Sequence, residues 1–160
     1  DAALFAKIAG YADDAALLAD IDSVVATCCA IKARIVEQDE FDTGLRMLLN
    51  FGHTLGHAVE QHFGYSCFTH GEGVAIGMYQ LTKRTEELGM TAKGSGERIK
   101  SVLEKYNLPL TAGVEKAQML DTMARDKKKN GNSITLIILQ QIGEGVLQKV
   151  DWQEVPKYLG

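Results

Sequence analysis

All four histidines of this 160-residue chain, His53, His57, His62 and His70, fall within one short window. Neutral imidazoles at i and i+4, as at His53 and His57, can reach one ion from a single helical face, and His70 can join them across a turn. A catalytic zinc takes three protein ligands and keeps a position open, so such a cluster points first to metal chemistry. The spacing leaves open which of the imidazoles bind. Arg46, Asn50, His53, His57 and Glu60 follow one another at intervals of four, three, four and three residues, which lays all five along one helical face. Arg46 offers a rigid fork of donors for a carboxylate, Asn50 a neutral donor and Lys32 a second cation, a set suited to an anionic, oxygen-rich substrate.

The bland alternative is a solvated polar face. Two glycines argue against it. Gly52 and Gly56 fall inside the same expected helix, where each costs about 1 kcal/mol relative to alanine. A helix gains from them only if a backbone or a ligand approaches closely, and Gly73 and Gly77 repeat the arrangement in the next helix. Close helix packing alone accounts for both pairs equally well. Lys127, Lys128 and Lys129 form a charge run whose default is solvent exposure and whose alternative is a phosphate contact.

The elements that must position these residues read as mainly α. Apolar spacing predicts one long helix from Asp13 or Asp14 to about Val36, with Asp14 as its cap, and a second from about Leu45 to His62. A third runs from about Gly71 to Leu88. A fourth runs from Glu97 to Tyr106, stopped by Asn107 and Pro109, and a fifth from Val114 to Arg125. Ser133 to Leu139, rich in β-branched residues, and Gly145 to Val150 predict a small β-hairpin, and Asp151 to Leu159 a closing short helix. With 46% hydrophobic and 24% charged residues, the chain is an ordinary globular sequence, expected to fold as a single domain over residues 1–160. A net charge of −4 offers no broad cationic surface for nucleic acid or anionic lipid. No apolar stretch is long enough to cross a bilayer and no leader opens the chain, so a cytoplasmic location is expected. Cys28, Cys29 and Cys67 form no CxxC pair and are expected to be small buried residues in a reducing compartment.

The run Gly44-Leu45-Arg46-Met47-Leu48-Leu49-Asn50-Phe51-Gly52-His53-Thr54-Leu55-Gly56-His57-Ala58-Val59-Glu60, followed by His70-Gly71-Glu72-Gly73-Val74-Ala75-Ile76-Gly77-Met78, resembles the signature of the 3-dehydroquinate synthase family. The resemblance extends upstream to Lys32-Ala33 and downstream to Asp126-Lys127-Lys128 and Gln141-Ile142-Gly143, so it covers nearly the whole chain. It implies the helical C-terminal domain of the dehydroquinate synthase-like fold, from an enzyme of the shikimate pathway, in aromatic amino acid biosynthesis. That enzyme converts 3-deoxy-D-arabino-heptulosonate 7-phosphate into 3-dehydroquinate and releases phosphate. Its NAD transiently oxidises a ring hydroxyl, its divalent metal, zinc or cobalt, polarises that hydroxyl, and the full-length protein is a homodimer.

Residue by residue, the resemblance implies that His53 and His70 bind the metal and that His57 transfers protons. It implies that Lys32 and Arg46 face the substrate carboxylate, with Asn50 and Lys128 near the phosphate. Asp42 falls where the family has a proton-accepting glutamate, one methylene longer. The family's N-terminal NAD-binding α/β domain, which also carries the glutamate that completes the metal triad, has no counterpart here. Gly94-Ser95-Gly96 lacks the third glycine and the preceding strand of a dinucleotide loop. The expectation is therefore an enzyme fragment, inactive alone. A related sugar-phosphate cyclase and a helical binding module that keeps the motif for packing are the other readings.

Overall fold

The computed structural model describes residues 1–41, 44–130 and 132–160, with 125–130 described by backbone alone. In chain order come α1 (Ala2–Gly10), α2 (Asp14–Ala19), α3 (Ile21–Gln38), a 3-10 helix (Leu45–Asn50), α4 (His53–His62), α5 (His70–Glu87), α6 (Ser95–Lys105), α7 (Lys116–Asn130), strands β1 (Ser133–Gln141) and β2 (Glu144–Asp151), and a closing 3-10 helix (Val155–Tyr158). The architecture is mainly α with an antiparallel hairpin near the C-terminus, as expected. The hairpin register runs from Ser133 opposite Asp151 to Ile138 opposite Val146, with an irregularity between Leu139 and Gln141. Leu136, Ile138 and Val150 join Leu55 and Val59 of α4, Ile76 of α5 and Met119 and Met123 of α7 in the main core.

Several elements have legible causes. The N-cap Thr69 accepts from the Glu72 amide while Glu72 Oε2 accepts from the Thr69 amide at 2.8 Å, a capping box that starts α5. Past the end of α6, Asn107 takes a left-handed φ of 54°, and the Leu108 amide reaches back to the Leu103 carbonyl at 2.9 Å. Asparagine tolerates that conformation, so the helix stops where expected.

α4 and α5 cross backbone to backbone. A Cβ built on Gly77 would stand 2.1 Å from the Gly52 carbonyl oxygen, and one on Gly56 would stand 2.9 Å from the Gly73 carbonyl group. Any side chain there would push the helices apart, so the two glycine pairs face each other.

The structure differs from the sequence reading in four places. The chain opens with α1, which the periodicity does not single out. The single long helix from Asp13 or Asp14 to Val36 is two helices: Asp13, not Asp14, caps α2 by accepting from the Ala16 amide at 2.8 Å, and the chain breaks at Asp20. Asp20 is held by Lys7 at 2.8 Å and by the Tyr11 hydroxyl at 2.6 Å, which ties the break to α1. The helix expected from Leu45 to His62 is interrupted too. Leu45–Asn50 is a 3-10 turn, and Gly52 caps α4 with a left-handed φ of 81° where a Cβ would meet Val74 O and Met78 Cγ at 2.6 Å. Finally, Cys28, Cys29 and Cys67 are exposed rather than buried. Among the described residues no helix is long and apolar enough to cross a membrane.

Candidate metal centre

The break at Gly52 changes how the polar stripe is built. His53, His57 and Glu60 share α4, while Arg46 and Asn50 lie on the preceding 3-10 turn. His70 is the first residue of α5, fixed there by the capping box. The glycine-lined crossing brings the three imidazoles together: ring centres are 5.5 Å apart for His53 and His57, 5.0 Å for His53 and His70, and 5.6 Å for His57 and His70. With zinc–nitrogen bonds of about 2.0–2.1 Å, imidazoles arranged tetrahedrally around one ion have centres roughly 5 Å apart. The triangle therefore fits a divalent ion.

The second ring nitrogen separates the three. His53 Nδ1 lies 3.3 Å from the Phe51 carbonyl oxygen. A carbonyl only accepts, so Nδ1 carries the proton and Nε2 keeps a free lone pair. His70 Nδ1 lies 3.3 Å from both oxygens of Glu60, which is only 7% exposed. Metal-binding histidines ordinarily donate the other ring N–H to a carbonyl or carboxylate, and His53 and His70 are both arranged this way. His57 has no hydrogen bond among the described residues. A different grouping is also close, since ligand atoms of His57, Glu60 and His70 lie within 4.8 Å of one another. Glu60 was legible only as a member of the stripe; its partner across the helix crossing was not.

His57 also lines a cavity of about 480 Å³, together with Thr54, Ala58 and Gln61 of α4, Met47 of the 3-10 turn, Met123 of α7, and Ser133, Ile134 and Thr135 of β1. Thr54, His57, Ala58 and Gln61 stand at i, i+3, i+4 and i+7, so this face was present in the spacing although only His57 was singled out. The cavity walls carry hydroxyls and an amide that can hydrogen-bond a polyhydroxylated ligand.

The remaining candidates are less gathered. Arg46 is held by its amide on Asp39 Oδ2 at 3.0 Å and by Nη1 on the Glu40 carbonyl at 2.7 Å, which leaves other guanidinium donors available. Asn50 is exposed at the end of the same turn. Lys32 is exposed on α3 and makes no hydrogen bond or ion pair among the described residues. Asp42 and the Lys128 side chain lie outside the described residues. The Gly94 and Gly96 amides are taken by the Glu86 carboxylate at 2.7 and 2.8 Å, so this glycine pair caps α6 within the chain. Those amides, Gly96 before Gly94, hold the Glu86 carboxyl below its ordinary range.

Known proteins are similar to this chain. Residues 1–129 match the model of the 3-dehydroquinate synthase C-terminal family. The chain is 45% identical over 160 residues to the 3-dehydroquinate synthase of Clostridium acetobutylicum, covering 99% of itself and 45% of that protein. To the enzyme of that name from Enterococcus faecalis it is 36% identical over 160 residues, again covering 99% and 45%. It thus spans about half the length of the curated relatives it matches. Among solved structures its fold is similar to 2-epi-5-epi-valiolone synthase from Streptomyces hygroscopicus subsp. jinggangensis 5008 with NAD+ and Zn2+ bound, at TM-score 0.75 and 21% identity over 99% of this chain and 45% of that one. It is also similar to 2-deoxy-scyllo-inosose synthase complexed with carbaglucose-6-phosphate, NAD+ and Co2+, at TM-score 0.71 and 19% identity over 87% and 40%.

Proposed function

The chain belongs to the 3-dehydroquinate synthase C-terminal family, and on that premise we propose that it supplies the metal- and substrate-binding half of a phosphate-eliminating lyase. Joined to an N-terminal NAD-binding domain, it converts 3-deoxy-D-arabino-heptulosonate 7-phosphate into 3-dehydroquinate and phosphate. The observation that carries this reading is the convergence of His53, His57 and His70 from two glycine-locked helices, with Nδ1 of His53 and of His70 already engaged. The setting we propose is a cytoplasmic homodimer of the longer protein.

In this reading His53 and His70 hold a zinc or cobalt ion through Nε2, and a third ligand comes from the NAD-binding domain. When bound, the ion supplies Lewis-acid polarisation of a hydroxyl and NAD a reversible hydride acceptor. His57, at the boundary between the imidazole triangle and the cavity, moves the proton, and Asp42 stands in for the family's longer proton acceptor. Arg46 and Lys32 orient the substrate carboxylate, Asn50 and Lys128 its phosphate. Charge-assisted bonds of this kind fix orientation as well as affinity.

The test is phosphate release. The chain alone, given substrate, NAD and zinc, should show no steady turnover, and addition of a matching N-terminal domain should restore it with dehydroquinate as product. Full turnover by the chain alone would overturn the half-site reading, and a different carbocycle would identify a related cyclase. No release from a well-formed pair would leave only a packing role for the motif.

A further inference from the structure

We propose that Glu60 is a positioning residue of the metal centre, which holds His70 as its Nδ1–H tautomer and so leaves Nε2 as the ligating atom. The inference rests on the reading of His70 as a ligand, and deepens it by assigning a task to a carboxylate that the proposed chemistry does not use. Glu60 sits on α4 and His70 on α5, so their contact spans the helix crossing. Both carboxylate oxygens lie 3.3 Å from Nδ1, and His70 is the only hydrogen-bonding partner of the Glu60 side chain among the described residues. Glu60 is 7% exposed. A carboxylate is costly to bury unless it is hydrogen-bonded, and an apolar residue would fill this place in the crossing at no such cost.

The neighbouring backbone is cut to admit it. A Cβ on Gly73 would stand 3.2 Å from Glu60 Cγ and 3.2 Å from the Gly56 carbonyl oxygen, so the bare α-carbon at position 73 makes room for this side chain as well as for the helix approach. A carboxylate that accepts from Nδ1–H fixes the ring's orientation and raises the basicity of the other nitrogen. The Phe51 carbonyl performs the same task for His53 from a backbone position. Glu60 as a direct ligand, grouped with His57 and His70, is the competing arrangement. In it a Glu60 oxygen would bind the ion directly rather than only accept from Nδ1.

Two measurements on the full chain test this, with Co2+ alone as the probe. Long-range 1H–15N correlation in alkaline, metal-free buffer reads the tautomer of each neutral imidazole. His70 should be Nδ1–H in the native chain, should remain so in Glu60→Gln, whose amide oxygen still accepts, and should lose that preference in Glu60→Leu. Cobalt titration should show a loss of roughly 10–100-fold for Glu60→Leu, a smaller loss for Glu60→Gln, and the largest for His70→Ala. A native His70 in the Nε2–H form overturns the proposal. So does a Glu60→Gln loss equal to that of His70→Ala, which would mark Glu60 as a direct ligand. If His70→Ala leaves cobalt binding intact while the tautomer follows Glu60, the ligand reading of His70 fails instead. Glu60→Gln keeps the shape of the side chain, so a Glu60→Leu variant that does not fold leaves the comparison standing.

Discussion

α3 and α5 are each 18 residues long and each carries residues proposed to face substrate or metal, yet they are held very differently. α5 buries eight residues, among them Ile76 at 0% and Leu81 at 2% exposure, and its glycines lock it onto α4. α3 buries only Val24, and leaves Ile21 and Val25 open together with Leu18 of α2. Fully burying a side chain such as Ile or Leu stabilises by about 1.5–3 kcal/mol, so α5 is anchored many times over and α3 scarcely at all. The imidazole triangle is thus preorganised within this chain by a rigid crossing. Lys32, on α3, is carried by an element whose apolar face is only partly covered, with Val24 buried, Ile31 and Ile35 half-buried and Ile21 and Val25 exposed.

The largest expected break in this contrast is at Gly77. Gly77→Ala should destabilise the chain by about 3 kcal/mol or more, because its Cβ meets backbone that cannot move without parting the helices. Chemical denaturation would show it, and a loss under 1 kcal/mol would mean that the crossing is not tight. Next comes Thr69→Ala, which removes the cap that fixes His70 at the start of α5 and should cost about 1 kcal/mol, or roughly 2–4 °C in melting temperature. An unchanged melting temperature would take the capping box out of the account of His70.

A smaller effect is tied to pH. The Glu86 carboxyl is held below its ordinary value by the Gly96 and Gly94 amides, so its contribution is complete above the unfolded pKa, near 4.5, and is lost as pH falls through the lowered folded value. Thermal melts from pH 7 to 3 should therefore decline more steeply for the native chain than for Glu86→Gln. Parallel curves would remove Glu86 as the tie between α5 and α6. The smallest effect belongs to α3: Val25→Ser, at a side chain 51% exposed, should change stability by no more than about 0.5 kcal/mol. A larger loss would show that the α3 face is covered in solution and would dissolve the contrast.

Where local chemistry fixes an element, the sequence was enough. The stop at Asn107 and Pro109 and the β-branched run Ser133–Leu139 placed the end of α6 and the hairpin within a few residues, and α5 was expected within a residue of where it lies, although the Thr69–Glu72 capping box that starts it was not read. Where a distant contact decides, it was not. The interruption at Gly52 is imposed by Val74 and Met78 on another helix, and the 3-10 turn before it keeps nearly helical spacing, so the stripe read as continuous. The apolar pattern of α3 likewise predicts a buried face, since periodicity records a stripe but not whether anything covers it. In the candidate site, the gathering of three histidines was legible from their positions. The distinction among them was not, because it rests on what Nδ1 of each ring touches: a backbone carbonyl for His53, a buried carboxylate from the other helix for His70, and no partner among the described residues for His57.

That distinction can be measured by titrating Zn2+ into the chain and into its His53→Ala, His70→Ala and His57→Ala variants by calorimetry. The first two should lose most of the binding and His57→Ala should keep it, as expected of a proton-transferring group beside the ion. A His57→Ala variant that loses binding while His53→Ala retains it would contradict the assignment.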